Sequence, residues 1–223
     1  MDLARDLVAA GYPAVKVSIG RGDLEDELAT VQAISDAVRG EARLLVDAHG
    51  AYNADSVRYV ARRLQDMSVD WFEDPLPPGD LDGCSRLAAA FDLAIAGGET
   101  DCTRWQFAKR LSAGAADVVL PDVCRAGGIS EGLHNVRWAT RVSMGSSVHI
   151  AAAAHLAAAS SNFLAFEWPS TPNPLGDPLL TVPLHPVGGI LTVPDGPGLG
   201  IAFDEEVLRA HLDPEDAVRI GAS

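Results

Sequence analysis

Short apolar runs recur along the chain, and most of them are nearly continuous in apolar residues instead of alternating with polar ones. Strands that are buried on both faces, as in a parallel sheet, have this pattern. The pattern therefore predicts seven strands of a parallel sheet, within residues 14–20, 43–50, 69–75, 93–100, 116–122, 141–147 and 163–169.

Helical patterns separate these runs. In residues 54–67 the apolar positions repeat as on one face of a helix, at Val57, Val60, Ala61 and Leu64. Residues 23–39 repeat the pattern less regularly. Strands that alternate with helices at short intervals are typical of βα units, so the predicted fold class is α/β with a parallel sheet.

Acidic residues end four consecutive apolar runs at nearly regular intervals. Glu73 follows Asp47 by 26 residues, Glu99 follows Glu73 by the same interval, and Asp122 comes 23 residues later. The carboxyl ends of the strands of a β/α barrel open on one face, so the four carboxylates are expected to converge there. Desolvated like charges repel, and an oxygen-only set without cysteine favours Mg²⁺ over Ca²⁺ or Mn²⁺. Any single acid after a strand is more often a helix cap or a solvated loop residue, so a plain scaffold is an alternative.

Composition narrows the class of protein. The 223 residues carry a net charge of −14, which argues against nucleic acid and anionic membranes as partners and is compatible with divalent cations. Cys84, Cys102 and Cys124 lack the spacing of zinc ligands and imply no disulfide framework. The N-terminus has no signal-peptide pattern, and the most apolar stretch, HIAAAAHLAAA, is too short to span a bilayer. We therefore expect a cytoplasmic protein.

Several motifs together resemble the enolase superfamily, and within it the mandelate racemase/muconate lactonising group. They run in order along the chain: VDAHG with Asp47, WFEDPLPP with Glu73, AGGET with Glu99, DVVLPDVCRAGGISEG with Asp122, HLAAASSNF (155–163) and VPDGPGLGIAFDEE (193–206). The Pro-Asp pair at Asp122, followed by RAGG and without a lysine on that strand, is similar to the mandelate racemase-like branch.

The resemblance implies a (β/α) TIM-like barrel of the enolase C-terminal type, with Asp47, Glu73 and Glu99 as the Mg²⁺ ligands. The ion would hold a substrate carboxylate and stabilise the enediolate that forms when the α-proton leaves. Asp74, the second acid of the Glu-Asp pair, is expected to orient the loop instead of binding metal.

Residues on two strands should face the substrate carboxylate. The family carries a Lys-x-Lys pair on its second barrel strand, and Lys16 matches its first lysine, which helps to neutralise that carboxylate. Ser18 stands where the second lysine acts as base, and a serine has no useful pKa without a partner. Glu167 matches an eighth-strand acid that hydrogen-bonds the carboxylate in some relatives; a solvated strand-end acid is the alternative.

The other base of this branch is a histidine on the seventh barrel strand, held by Asp122. Counting forward from Gly128 assigns this place to His149, whereas counting back from the HLAAA motif assigns it to Val142. His149 could equally lie in the first turn of a helix. His155 lies in an alanine-rich helical pattern and is expected to be a packing residue.

The seven predicted strands are one fewer than the barrel needs. The first segment resembles the helix that leads into the second strand, so the first strand and the N-terminal capping domain are expected to be missing, as in a fragment or half of a split protein. An incomplete barrel exposes two edges, which favours a homo-oligomer. We expect one barrel domain over residues 1–223, with 180–223 as a C-terminal strand, turn and helix extension.

The expected function is Mg²⁺-dependent proton abstraction alpha to the carboxylate of a sugar acid or another hydroxy acid. Dehydration is favoured, because racemisation or epimerisation needs bases on both faces and Ser18 removes one. A second interpretation is a catalytically weak or inactive remnant that keeps the metal site. A third is a scaffold whose acids only cap helices.

Overall fold

The computed structural model describes residues 2–133, 138–140, 146–170 and 176–211. Its centre is a parallel sheet in which each strand pairs with the next one in sequence. The seven strands are β1 (Ala14–Ser18), β2 (Arg43–Asp47), β3 (Trp71–Glu73), β4 (Ala94–Gly97), β5 (Val118–Val119), β6 (Trp138–Thr140) and β7 (Phe163–Phe166).

Helices connect the strands. They are α1 (Asp2–Ala9), α2 (Leu24–Val38), α3 (Val57–Asp66), α4 (Leu81–Ala90), α5 (Thr103–Ser112), α6 (Ile129–Gly132), α7 (Ser147–Ala158) and α8 (Glu205–Ala210), with a 3₁₀ turn at Asp177–Leu179. The helices predicted over 23–39 and 54–67 are confirmed as α2 and α3. None of the helices in the described part of the chain is long and apolar enough to cross a membrane.

Alternation along the strands divides the core into two layers. One set of strand side chains, including Leu44, Val46, Phe72 and Ile95, packs in a large cluster with the apolar faces of the helices. The opposite set forms a smaller cluster inside the curved sheet, with Leu45, Trp71, Ala96 and Leu120 at its centre. Because neighbouring residues of a strand point to opposite faces, the acids that end β2 and β3 share the inner side with Leu45 and Trp71.

The sheet is an incomplete barrel with β1 and β7 at its two ends. It curls far enough for the side chains of Lys16 in β1 and Glu167, directly after β7, to meet at 2.5 Å. The α/β class and the seven strands are therefore confirmed. Leu164 of β7 keeps 45% of its surface exposed, so this end of the sheet is only partly covered.

Most of the run predicted for the sixth strand, 141–147, lies outside the described residues. The described residues of this strand are Trp138–Thr140, directly before the predicted run. Residues 141–145 lie outside the described part of the chain, and Ser147 already belongs to α7. Six of the eight residues at 151–158 are alanine, and the helix they favour extends back to Ser147, so the end of the apolar run reads as helix and not as strand.

The C-terminal segment packs on the barrel after β7. An isolated antiparallel bridge joins Leu180 to Phe203, and Leu180 and Leu184 contribute to the cluster around α7. The description ends at residue 211. That residues 180–223 form an extension of a single barrel domain stays a prediction.

Candidate active site

One ammonium group lies among three carboxylates at the carboxyl ends of the strands. The Nζ of Lys16 lies 3.0 Å from Oδ2 of Asp47, 2.9 Å from Oε2 of Glu73 and 2.5 Å from Oε1 of Glu167. These four residues come from β1, β2, β3 and the segment after β7. The structure therefore brings together two predicted metal ligands and two predicted substrate-binding residues; we call them the Lys16 cluster.

The Lys16 cluster is partly buried and has fewer positive than negative charges. Asp47 and Glu73 have no exposed surface. Burial raises the pKa of Glu73 to about 8; Lys16 opposes this rise, and the charges of Asp47 and Glu167 add to it. With every group ionised, the cluster carries two more negative than positive charges, the deficit that one divalent cation would balance.

The end of β3 explains why Glu73 lies here. In the stretch WFEDPLPP, Trp71 and Glu73 point inward, whereas Phe72 packs against the helices. The strand ends at Glu73, and Asp74 adopts a positive φ of 36° while its N–H still donates to the carbonyl of Ala96. The following prolines have no N–H to continue the ladder, so the chain leaves the sheet at this point.

Glu99 reaches the same edge of the sheet by a different path. Ala96 of β4 lies opposite Glu73, so Glu99 comes three residues later, in the loop after β4. Gly98 turns the chain there with a φ of 107°. The structure thus places Glu99 beside the carboxyl ends of β3 and β4 but not in register with Asp47 and Glu73; its role as a third ligand stays a prediction.

A buried arginine fixes the two loops that flank these acids. Arg110 of α5 is 2% exposed and donates from Nε and Nη2 to the two carboxylate oxygens of Asp101, at 2.7 and 3.0 Å. Its Nη2 also donates to the carbonyl of Pro78 at 3.3 Å. Sequence reasoning missed Arg110; the signal is an arginine on the buried face of α5, three residues after Phe107.

His49 is a second residue that sequence reasoning missed. Its N–H donates to Oδ1 of Asp47 at 3.0 Å, its Nδ1 lies 3.2 Å from the same oxygen, and its Nε2 lies 3.3 Å from Oγ of Ser18. His49 has a positive φ of 49°, which is uncommon outside glycine and often marks functional sites. Ser18 therefore has the partner that its sequence alone did not show, and the available signal was a histidine two residues after a strand-end acid.

The predicted pair of Asp122 and His149 is also in contact. Oδ1 of Asp122 lies 3.3 Å from Nε2 of His149. His149 lies in the first turn of α7, nine residues after the end of β6, and not at a strand end as the count from Gly128 predicted. Val142, the other candidate for that place, lies outside the described residues. A catalytic role for Asp122 and His149 stays a prediction.

His155 behaves as a packing residue. Its Nε2 lies 3.1 Å from the carbonyl oxygen of Leu199, so it ties α7 to the C-terminal segment. This contact agrees with the expectation from the alanine-rich pattern.

The donor chemistry of the Lys16 cluster fits Mg²⁺. Asp47 and Glu73 present carboxylate oxygens, the ligands that a hard divalent ion prefers, at a buried position with excess negative charge. All three acceptors around Lys16 are carboxylate oxygens, and none is a thiolate or an imidazole, which softer metals favour. Asp47 and Glu73 would hold the ion, and Glu99, in the loop after β4, is the predicted third ligand.

A curved parallel sheet with acids at the carboxyl ends of its strands defines a barrel of the type used by many enzymes. The chain matches the description "Enolase C-terminal domain-like" over residues 1–207. It therefore belongs to the enolase superfamily, in the mandelate racemase/muconate lactonising group.

Individual relatives support the same assignment. The chain is 36% identical to D-galactarolactone cycloisomerase of Agrobacterium fabrum, over 93% of this chain and 58% of the relative. It is 31% identical to arabinonate dehydratase of Saccharolobus solfataricus, over 92% of this chain and 56% of the relative. The crystal structure of the 3,6-anhydro-D-galactonate cycloisomerase from Zobellia galactanivorans superposes with a TM-score of 0.86 at 30% identity, over 95% of this chain and 62% of that one. The chain thus spans somewhat more than half the length of these relatives.

Proposed function

We propose that the protein abstracts the proton alpha to the carboxylate of a sugar acid, with Mg²⁺ bound by Asp47, Glu73 and Glu99, and that the outcome is dehydration. The observation that carries the proposal is the partly buried Lys16 cluster, whose charge deficit and oxygen donors suit one divalent ion. Mg²⁺ at this place would stabilise the negative charge that develops on the substrate carboxylate as the α-proton leaves.

The residues of the cluster would divide the remaining work. Lys16 lies between the acids of β2 and β3 and Glu167, so its ammonium can pair with a substrate carboxylate when the metal carboxylates are satisfied by the ion. Glu167 would hydrogen-bond the substrate. The burial of Asp47 and Glu73 keeps water away from these charges, which strengthens each electrostatic interaction.

His49 is the residue best placed to move a proton. Asp47 contacts its Nδ1, so the Nε2 beside Ser18 is the atom that exchanges protons with a substrate. This arrangement gives Ser18 a titratable partner at the position where the family carries a lysine base. The predicted pair of Asp122 and His149 remains a second candidate.

The named relatives support two outcomes, dehydration and cycloisomerisation. Arabinonate dehydratase by its name removes water from a sugar acid, and D-galactarolactone cycloisomerase by its name rearranges a sugar lactone. Both outcomes are compatible with an enediolate: loss of a hydroxyl group releases water, whereas loss of a ring oxygen gives an isomer. The identity of 36% makes cycloisomerisation the second candidate.

Proton exchange tests the proposal directly. The protein is incubated in D₂O with Mg²⁺ and a panel of aldonic acids, aldaric acids and their lactones, and the α-proton signal is followed by NMR. We expect Mg²⁺-dependent loss of that signal with at least one compound, with a keto acid product for dehydration and an isomer for cycloisomerisation. Glu73→Gln and His49→Ala should lose exchange, whereas His211→Ala, at an exposed position after α8, should retain it.

Mg²⁺ binding separates the proposal from the alternatives. At a Mg²⁺ concentration of 100 times Kd we expect about 2.7 kcal/mol of stabilisation, lost in Glu73→Gln. Stabilisation without exchange of any compound would favour the inactive remnant. If Mg²⁺ does not stabilise the protein and no compound exchanges its α-proton, the interpretation that remains is a scaffold whose acids only cap helices.

A further inference from the structure

Three residues of different chemistry meet between the turn after β5 and the start of α7. A carboxylate oxygen of Asp122, Sγ of Cys124 and a ring nitrogen of His149 all lie within 4.8 Å of one another. Asp122 and Cys124 belong to the turn after β5, and His149 belongs to the first turn of α7. No two of the three cysteines have zinc-ligand spacing, so this cluster is visible only in the folded chain.

His149 is buried and is spaced from Asp122 as two ligands of one ion would be. Its side chain is 7% exposed, and its Nε2 lies 3.3 Å from Oδ1 of Asp122 without making a hydrogen bond of acceptable geometry to any residue in the described part of the chain. A buried nitrogen without such a bond is costly. Two ligand atoms about 2.0–2.1 Å from a tetrahedral Zn²⁺ lie about 3.3 Å apart, so the two side chains are spaced as ligands of a common ion.

The turn after β5 holds the carboxylate in place for this purpose. Oδ1 of Asp122 accepts hydrogen bonds from the N–H groups of Cys124 and Arg125, at 2.7 and 3.3 Å. Cys124 is exposed, so the cluster opens to solvent on the side of the thiol. A metal bound by three protein ligands would keep its fourth position open on that side.

The donor atoms of Asp122, Cys124 and His149 favour a different metal from the one that suits the Lys16 cluster. Thiolate and imidazole favour Zn²⁺ and its neighbours in the first transition row, whereas Mg²⁺ prefers oxygen. We infer that Asp122, Cys124 and His149 form a transition-metal site of the Zn²⁺ class, separate from the carboxylate site proposed for Mg²⁺. This inference does not depend on the proposed function.

Metal binding would add a link between two segments that already share an apolar cluster, which includes Val119, Val123 and Ile150. The site links the turn after β5, a strand of two residues, to α7. It would also occupy Nε2 of His149, the atom that a proton-transfer role of this residue requires. Zn²⁺ is therefore expected to stabilise this half of the barrel, and to inhibit if His149 takes part in catalysis.

The two exposed cysteines provide a matched test. Cys102 and Cys124 both lie in loops after strands, and Cys102, which precedes α5, belongs to no group of three potential metal ligands within the described residues. Cobalt(II) is titrated into the wild type, Cys124→Ser and Cys102→Ser, and absorption from thiolate-to-cobalt charge transfer is recorded. We expect this absorption in the wild type and Cys102→Ser, its loss in Cys124→Ser, displacement of cobalt by Zn²⁺ and no displacement by excess Mg²⁺.

Affinity and thiol reactivity complete the test. Loss of outer contacts of a metal site costs about 10–100-fold in affinity, so Cys124→Ser and His149→Ala should weaken Zn²⁺ binding at least about tenfold. In the wild type, Zn²⁺ should protect Cys124 from alkylation while Cys102 continues to react, as mapped by peptide mass spectrometry. This measurement uses the wild type alone, so it does not depend on whether a variant folds. Charge-transfer absorption that survives Cys124→Ser, its displacement by Mg²⁺, or equal alkylation of the two thiols would overturn the inference.

Discussion

The first four strands and the last three strands of the sheet are built differently. β1 and β2 pair in register over five residues, and β2, β3 and β4 pair over three. In the described residues β5 and β6 pair at Val119 and Trp138, and the register between β6 and β7 shifts. The regular half holds Lys16, Asp47 and Glu73 of the Lys16 cluster, whereas the irregular half holds Asp122, Cys124 and His149, and Glu167 follows its last strand. The predicted metal ligands Asp47 and Glu73 thus lie where the strand pairing is most regular, together with Ser18 at the end of β1. The predicted pair of Asp122 and His149 lies where the pairing is least regular.

The largest expected effect comes from removing the cation of the regular half. Lys16→Met leaves three acids around a buried site, and removal of one partner of a buried ion pair typically costs about 3–5 kcal/mol. We expect a loss of this size in the free energy of unfolding of the metal-free protein, measured by urea denaturation. Arg39→Met, which removes an exposed ion pair with Asp36, should change it by less than about 1 kcal/mol. Equal effects of the two variants would contradict the buried cluster.

Arg110 tests whether a buried contact to the loops after β3 and β4 supports the regular half of the sheet. Arg110→Met leaves Asp101 without its two hydrogen bonds and should cost about 3 kcal/mol. The loops that follow β3 and β4 lose a common anchor, so Mg²⁺ binding should weaken about tenfold by calorimetry. Lys109→Met, one residue earlier on the exposed face of α5, is the control and should change neither quantity measurably. Unchanged Mg²⁺ affinity in Arg110→Met would show that the arginine only stabilises the fold.

The pH dependence of stability tests the electrostatics of Glu73. Burial raises its pKa to about 8, against an ordinary value of 4.5, so the folded metal-free protein holds a proton that the unfolded chain has released. Stability from this group is complete below pH 4.5 and is lost as the pH rises through about 8, by at most about 1.4 kcal/mol per pH unit. Denaturation between pH 5.5 and 8 checks this trend. Glu73→Gln should flatten it, and a rising trend in the metal-free wild type would contradict the assignment.

The smallest expected effect lies at the edge of the irregular half. Leu164→Ala in β7 removes a side chain that is 45% exposed and should change the free energy of unfolding by about 0.5 kcal/mol or less. Ile95→Ala in β4 removes a fully buried side chain and should cost about 2–5 kcal/mol. Thermal denaturation of the two variants compares the halves directly. A cost at Leu164 close to that at Ile95 would mean that β7 is covered in solution, as in the predicted homo-oligomer.

Spacing along the sequence predicted the regular half well. The 26-residue interval placed Asp47 beside Glu73, and the two residues are paired in the sheet. The same interval suggested that Glu99 would continue the row, but Ala96 takes that place because β4 ends at Gly97 and the chain turns before Glu99. Equal spacing thus predicts a common edge of the sheet, whereas the register also depends on where each strand ends.

Other parts of the site depend on the folded chain. Arg110 and Asp101 lie nine residues apart on a helix and the loop before it, and only the close approach of β3 and β4 makes their contact a link between two loops. His49 becomes a partner of Ser18 because a positive φ turns it back over β1. The apolar run suits either state, so the pattern alone did not decide whether Ser147 belongs to the sixth strand or to the helix that the alanine-rich segment favours.

The contact between Lys16 and Glu167 has a mechanical consequence. β1 and β7 are the two ends of the described sheet, and this pair of side chains bridges them. Backbone ladders hold the other strands together at nearly any salt concentration, whereas an ion pair weakens as dissolved ions screen it. A higher ionic strength should therefore weaken this contact selectively, so that the sheet opens first between β1 and β7. Hydrogen exchange should then be faster at the amides of β1 and β7 than at those of β2 and β3.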